Sequence, residues 1–444
     1  MSFFKKVFSN TTVKAEEEAL VDFDVTLGRY TEINKTAEQL SYWTRAQDDF
    51  LQKKHIDSFN NLLLYMKDPK VDNIKINRNG NELEFELVQG SKIVKGKANE
   101  NRFMAESRIA RFDKLSVAFL RKLMNMNYVL QYCRFAIKDD MIFLKFDSKT
   151  MDASPNKVYY SLRELALKSD KMDDLLTGEF ESLHPVDIDH IIEIPEDKKE
   201  IKYKYLQLWI TETLNKISGL DEGKLSGGIS YLLLSLLFRL DYLLMPQGNL
   251  FDDIEKINGI YNIKDNKSTL EKNRLMIEEF RSMQSKNKEY FFKNFYESKA
   301  TFGYVTATSH KQFYEFLLEE FKNTQWYYDN RYDQIVTAIY EWMIGYSFYY
   351  YGLFPATNDF LKIAYRVLYP DYFKEIGYKQ SLYDPSTNTL NKTAIEKEMQ
   401  RVIAHYIKDY PKLAILYANI KYTSNNEFLY TYLNELTYLN FSKA

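Results

Sequence analysis

The densest run of side chains that could do chemistry is His184-Pro185-Val186-Asp187-Ile188-Asp189-His190. Imidazoles and carboxylates are the ligand types of zinc and manganese. In extended chain, however, Asp187 and Asp189 share one side while His190 points to the other. A metal site needs three or four convergent ligands, and no second cluster lies nearby in sequence. The run therefore reads as a solvated linker, with a metal site at His184, Asp187, Asp189 and His190 as the sharper alternative. Cys133 is the one cysteine and lies in an expected strand. A nucleophile needs a neighbouring base and an electropositive setting. No histidine is near, so Cys133 reads as a small buried hydrophobe. Ser226-Gly227-Gly228 precedes an apolar run and could present N–H groups to an anion, but it lacks the lysine and spacing of a phosphate loop. His310 and His405 follow Ala307 and Val402 by three residues, so the Glu-x-x-His pattern of a di-metal bundle is missing. No catalytic residue and no cofactor is assigned.

Two further groups point to binding. Aromatic residues crowd the stretch from Tyr327 to Tyr351. A helix aromatic all round is usually buried, yet tyrosine hydroxyls favour half-wet sites. Tyr346 and Tyr350 are thus candidates for a partner or ligand groove, with core packing as the blander reading. Glu82, Glu84 and Glu86 alternate with Leu83, Phe85 and Leu87, the mark of a half-buried strand. If solvent-facing, the acidic row would favour a basic partner.

The elements that position these residues change character along the chain. Residues 1–35 lack sustained periodicity and read as a partly ordered arm without the apolar core of a secretory signal. Thr36 and Gln39 form an expected capping box for helices reaching Met66. Strands are expected at 74–77, 82–87, 93–94 and 102–112, with a type I′ turn at Asn79-Gly80. Asp113 is the expected cap of a helix ending at 125–127, with Leu115, Phe119 and Leu123 on one face. A hairpin follows across Asp139-Asp140. Ser154-Pro155 opens another helix, whose stripe runs from Val158 through Leu162, Leu165, Ser169 and Met172 to Leu176.

A linker is expected over 181–199. Beyond it the sequence shows helical runs near 200–217, 226–245, 267–299, 309–324, 329–351, 356–368, 391–409, 411–420 and 425–440, and no convincing strand. The run 229–245 carries Arg239 and Asp241 and ends at Met245-Pro246. It is too short and too charged for a clear membrane span and reads as a buried core helix.

The chain has 444 residues, enough for two or three domains. Apolar and charged residues make up 45% and 27%, the balance of a folded protein. Sixty basic residues oppose sixty-two acidic ones, so no global field exists to hold nucleic acid. A cytoplasmic location is the default expectation.

The order of helix, strands, helix, two strands and helix over about 36–180 resembles the YbjN-like domain, which shares the fold of class I type III secretion chaperones. Residues 119–127 look like that family's helix ending in an Asn. Residues 135–144 look like its hairpin, and the helix with Leu162, Leu165, Asp170, Asp173 and Leu176 like its last element. The resemblance implies a dimer-forming module that binds other polypeptides and has no active site. The expectation is an α+β chain: a secretion-chaperone-like α/β module with an antiparallel sheet at 36–180, then an all-α domain at 200–444. Its expected function is that of an intracellular adaptor or chaperone-like protein, docking a partner on the sheet's open face or edge. The alternative is an enzyme or small-molecule binder with an aromatic-lined pocket in the helical part.

Overall fold

The computed structural model describes residues 27–28, 34–68 and 71–442. Most of the arm expected over 1–35 lies outside the described residues. The chain is α+β, with an antiparallel sheet in its N-terminal half and helices predominating afterwards.

Helix α1 (Ala37–Leu51) opens with the expected capping box. Thr36 Oγ1 accepts the Gln39 N–H at 3.2 Å, and Gln39 accepts the Thr36 N–H at 3.0 Å. Helix α2 (His55–Met66) buries Ile56, Phe59, Leu62, Leu63 and Met66. Strands β1 (Ile74–Asn79), β2 (Glu82–Gln89), β3 (Lys92–Ala98) and β4 (Arg102–Phe112) form a meander. The first turn is displaced by one residue from the expected Asn79-Gly80. Asn79 pairs with Glu82, so Gly80-Asn81 are central, and of these only Gly80 has positive φ (56°). This is the II′ pattern, which wants glycine in the first central place.

Helix α3 (Val117–Val129) is capped by Ser116, not by the expected Asp113. Ser116 Oγ accepts the Ala118 N–H, while Asp113 pairs with His184 and Arg111. Leu115 therefore precedes the helix and is exposed rather than sharing the buried face of Phe119 and Leu123. Strands β5 (Arg134–Lys138) and β6 (Met141–Lys149) form the hairpin across Asp139-Asp140. Helix α4 (Pro155–Glu179) begins at the Ser154 cap with Pro155 in its first turn.

The strand order is β1-β2-β3-β4-β6-β5. Helices α2 and α4 pack on one face, where Phe59, Phe85, Phe103, Leu144, Leu162 and Leu165 share a core. The other face carries the charged residues. The expected linker is partly strand: β7 (Leu183–Pro185) pairs with β4 at 110–112, and β8 (Ile192–Glu193) pairs with β9 (Tyr296–Glu297).

The helical half contains α5 (Glu196–Ser218), α6 (Ser226–Leu244), α7 (Gly248–Asn262), α8 (Thr269–Gln284) and α9 (Lys288–Lys293). It continues with α10 (His310–Asp329), α11 (Asp333–Tyr350), α12 (Pro355–Leu368), α13 (Pro370–Glu375), α14 (Lys392–Tyr406) and α15 (Asn425–Leu436). The single run expected over 267–299 is broken because Asn287 caps a new helix. The run expected over 411–420 is a short 3-10 turn at 417–419. The sequence reading missed α7 and α13, as well as β9 and the pair β10 (Tyr383–Asp384) with β11 (Thr389–Leu390). Two-residue strands carry no periodicity to read.

Helix α6 is the axis of this half. Its Arg239 donates from Nε and Nη2 to both carboxylate oxygens of Glu341 on α11, at 2.7 and 2.9 Å. Burial opposes the Arg239 charge, but Glu341 holds the guanidinium protonated. The buried pair explains a charge inside an apolar helix. Among the described residues α6 alone is long and apolar enough to cross a membrane, and 89% of its apolar window is buried within the protein.

The two halves are not separated at one point in sequence. Residues 299–303 return to the sheet: Gln89 Oε1 accepts the N–H groups of Thr301 and Phe302 at 3.1 and 2.9 Å, and the Gly90 N–H donates to Lys299. The Phe302 ring belongs to the first core.

Candidate interaction surface

The outer face of the sheet holds the acidic row. Cross-strand register sets Lys75, Glu86, Lys95, Glu106 and Lys145 side by side on β1, β2, β3, β4 and β6. Lys95 pairs with Glu86 at 3.0 Å and Lys145 with Glu106 at 2.8 Å. One position along, Glu84 faces Lys97, and Asp147 pairs with Arg102. All of these but Arg102 line a groove of about 690 Å³. Glu82, at the hairpin end, is exposed. The expected preference for a basic partner therefore weakens: each acid but Glu82 has a cation on the neighbouring strand, and such pairs serve the sheet itself.

A different surface stands at the opposite edge. Helix α3 turns Phe119, Leu123 and Met126 inward. A second apolar stripe faces solvent: Val117, Met124 and Tyr128 are 66%, 71% and 92% exposed, with Leu120 partly buried between them. Leu115, Val129, Tyr132 and Ile137 are exposed beside it. The loop from α3 into β5 is fixed by Glu164 of α4, which accepts the N–H groups of Gln131, Tyr132 and Cys133 at 2.7 to 2.8 Å. The sequence reading missed this stripe. The signal was available, because apolar residues recur at helical spacing on two faces of 117–129 rather than one.

Of the linker run, three candidates are engaged within the fold and Asp189 is exposed. His184 pairs with Asp113 at 2.6 Å, Asp187 accepts from Arg108 Nε at 2.7 Å, and His190 bonds the Gly90 carbonyl at 3.1 Å. The four residues of the linker run thus do not converge, and among the described residues no group of three or more His, Cys, Asp or Glu is placed to hold a metal. Cys133 is buried, its Sγ 3.6 Å from the Ser161 carbonyl, and burial pushes its thiol far above the ordinary range. Ser226-Gly227-Gly228 forms the first turn of α6, where the Ser226 carbonyl accepts from Asn273.

Tyr346 and Tyr350 are partly buried. Tyr346 stacks on Phe316 at 5.0 Å and lies 4.5 Å from Tyr350, and the Tyr350 hydroxyl bonds Asn258 and Asn262. Burial raises both phenols.

At the seam between the halves, Asp170 accepts the Ser91 N–H at 2.7 Å and its hydroxyl at 3.1 Å. Desolvation pushes the Asp170 carboxyl up to about 6, against the pull of Ser91. Asp173 pairs with the buried Lys92 at 2.8 Å. Asp170, Asp174 and Asp252 border a cavity of about 190 Å³ closed by residues 296–304, and desolvation raises all three carboxyls.

Compared with known protein families and with curated proteins, the sequence matches none.

Proposed function

We propose that the chain is an intracellular, cytoplasmic adaptor without catalytic function, holding another polypeptide on its N-terminal half while the helical half acts as a rigid support. One observation carries this reading: α3 presents a second apolar stripe that is exposed among the described residues. Large exposed apolar patches on otherwise polar proteins mark interaction sites, and tyrosine and methionine are enriched in the centres of interfaces. The resemblance to YbjN-like and secretion-chaperone-like modules agrees with a polypeptide ligand, a second copy of the chain included. The alternative pocket in the helical half has less to support it, since Tyr346 and Tyr350 are taken up by ring stacking and by Asn258.

The test is a photo-crosslinking side chain placed at Met124 or Tyr128 in the source cells, with Lys311 of the helical half as the exposed control. The proposal expects one discrete crosslinked polypeptide from positions 124 and 128 and none from 311. Equal, diffuse labelling at all three positions contradicts it.

A further inference from the structure

We infer that the segment α3 receives is an amphipathic helix whose apolar stripe is flanked by acidic residues. The inference rests on the polypeptide-binding reading and names the partner chemistry at that same surface.

The shape of the surface favours a helix. Val117, Arg121, Met124 and Tyr128 follow one another at steps of four, three and four, a single ridge on α3. At 1.5 Å per residue the ridge is about 17 Å long, roughly three helical turns. A second helix laid along it can interdigitate with that ridge.

Strand addition is the rival mode, because β5 is the edge of the sheet. That edge is partly closed from within. Asn127 Oδ1 accepts the Phe135 N–H at 2.7 Å. Arg134, the first residue of β5, donates to the loop carbonyls of Leu130 and Cys133 just before the strand, at 2.9 and 2.5 Å. Recognition here runs through side chains more than through backbone pairing.

The charges select the partner. Arg121 is exposed on the ridge itself; Lys114, three residues before α3, and Lys138, at the end of β5, are exposed as well, and none of the three makes an ion pair among the described residues. Lys122, by contrast, is taken by Glu179 at 2.6 Å. Arg121 stands within the ridge, between Val117 and Met124. A lipid surface covering the ridge would draw its guanidinium towards hydrocarbon, which is costly. A facing helix with a glutamate at that level instead pairs with it. An unpaired guanidinium set within one apolar ridge therefore fits an acidic amphipathic helix.

The experiment titrates the full chain with three synthetic peptides and with vesicles. One peptide is an 18-residue helix with leucine at helical spacing and glutamate on the flanks. The second replaces each glutamate by lysine. The third alternates valine and glutamate and is extended. Vesicles contain phosphatidylcholine with phosphatidylserine. The glutamate helix is expected to bind at least about tenfold more tightly than the lysine helix, with affinity falling as salt rises. Arg121→Glu is expected to reverse that preference, and Met124→Asp to weaken both helices, with the circular-dichroism melt unchanged in each variant. Equal affinity for the two helices, no binding of either, tighter binding of the extended peptide, or preferential flotation with the vesicles overturns the inference. A discrete crosslink at Tyr128 with no charge preference among the peptides would remove the acidic-helix chemistry and leave the adaptor reading standing. Loss of the crosslink as well would remove both.

Discussion

Helix α6 buries sixteen of its nineteen residues, whereas α3 buries three of thirteen. Both are rich in apolar side chains. In the helical half that richness is consumed: rings stack on rings, and the one arginine of α6 is met by Glu341. In the α/β half Phe119, Leu123 and Met126 satisfy the core, and Val117, Met124 and Tyr128 remain over. Apolar content thus reports packing in one place and an unfilled surface in the other. Only burial, residue by residue, separates the two.

The largest break in that comparison should come from the saturated half. Glu341→Ala leaves Arg239 buried without its partner and is expected to destabilise the chain by about 3–5 kcal/mol in urea titration. Phe302→Ala should follow at roughly 3 kcal/mol, since it empties a place in the sheet core from a segment of the other half. Hydrogen exchange should show β2 and residues 299–303 losing protection together.

Gly90→Ala tests the seam in a different way. Gly90 has a φ of 55°, and a Cβ there would fall on the Asp170 carboxylate. A loss of about 1–3 kcal/mol is expected. The pH dependence has a defined sign. Desolvation pushes the Asp170 carboxyl up to about 6 in the folded chain, while an unfolded aspartate releases its proton near the ordinary value of 3.8. Through Asp170, stability therefore rises as pH falls from 7 towards 4, while His310, whose imidazole burial lowers, gives the opposite slope below its ordinary value of 6.5. Asp173 and Asp174, also raised by desolvation, act in the same direction as Asp170. The exposed Asp72 and Asp113, lowered by Lys67 and His184, give the opposite slope only below pH 4. Asp170→Asn should reduce the gain by about 1–2 kcal/mol, the partial exposure of the group being discounted. Thermal melts at pH 7, 6 and 5 check it.

Local signals made much of the fold readable in advance. The Thr36-x-x-Gln39 box, the strict alternation through β2 and the Ser154-Pro155 start each depend on neighbours within a few residues. What was not legible depends on distant partners. Residues 299–303 look like loop until Gln89 is seen to accept from them. His184 and Asp187 resemble ligands until Asp113 and Arg108 are placed beside them. The Glu82, Glu84 and Glu86 row was correctly read as one face of a strand, but its charge could not be judged before the lysines of β1 and β3 were in register. The α3 stripe was visible as periodicity, and a single expected face concealed it.

The smallest expected effect on stability belongs to that stripe, and the most direct test uses it. A Met124→Ser, Tyr128→Ser double variant should melt within about 2 °C of the parent chain, because surface changes cost under about 0.5 kcal/mol. A crosslinker at Val117 in the same variant should lose its polypeptide product at least about tenfold. A melt lowered as far as that of Phe302→Ala would show the stripe to be part of the core. An unchanged crosslink with an unchanged melt would show that no partner depends on it. Either result contradicts an adaptor built on α3.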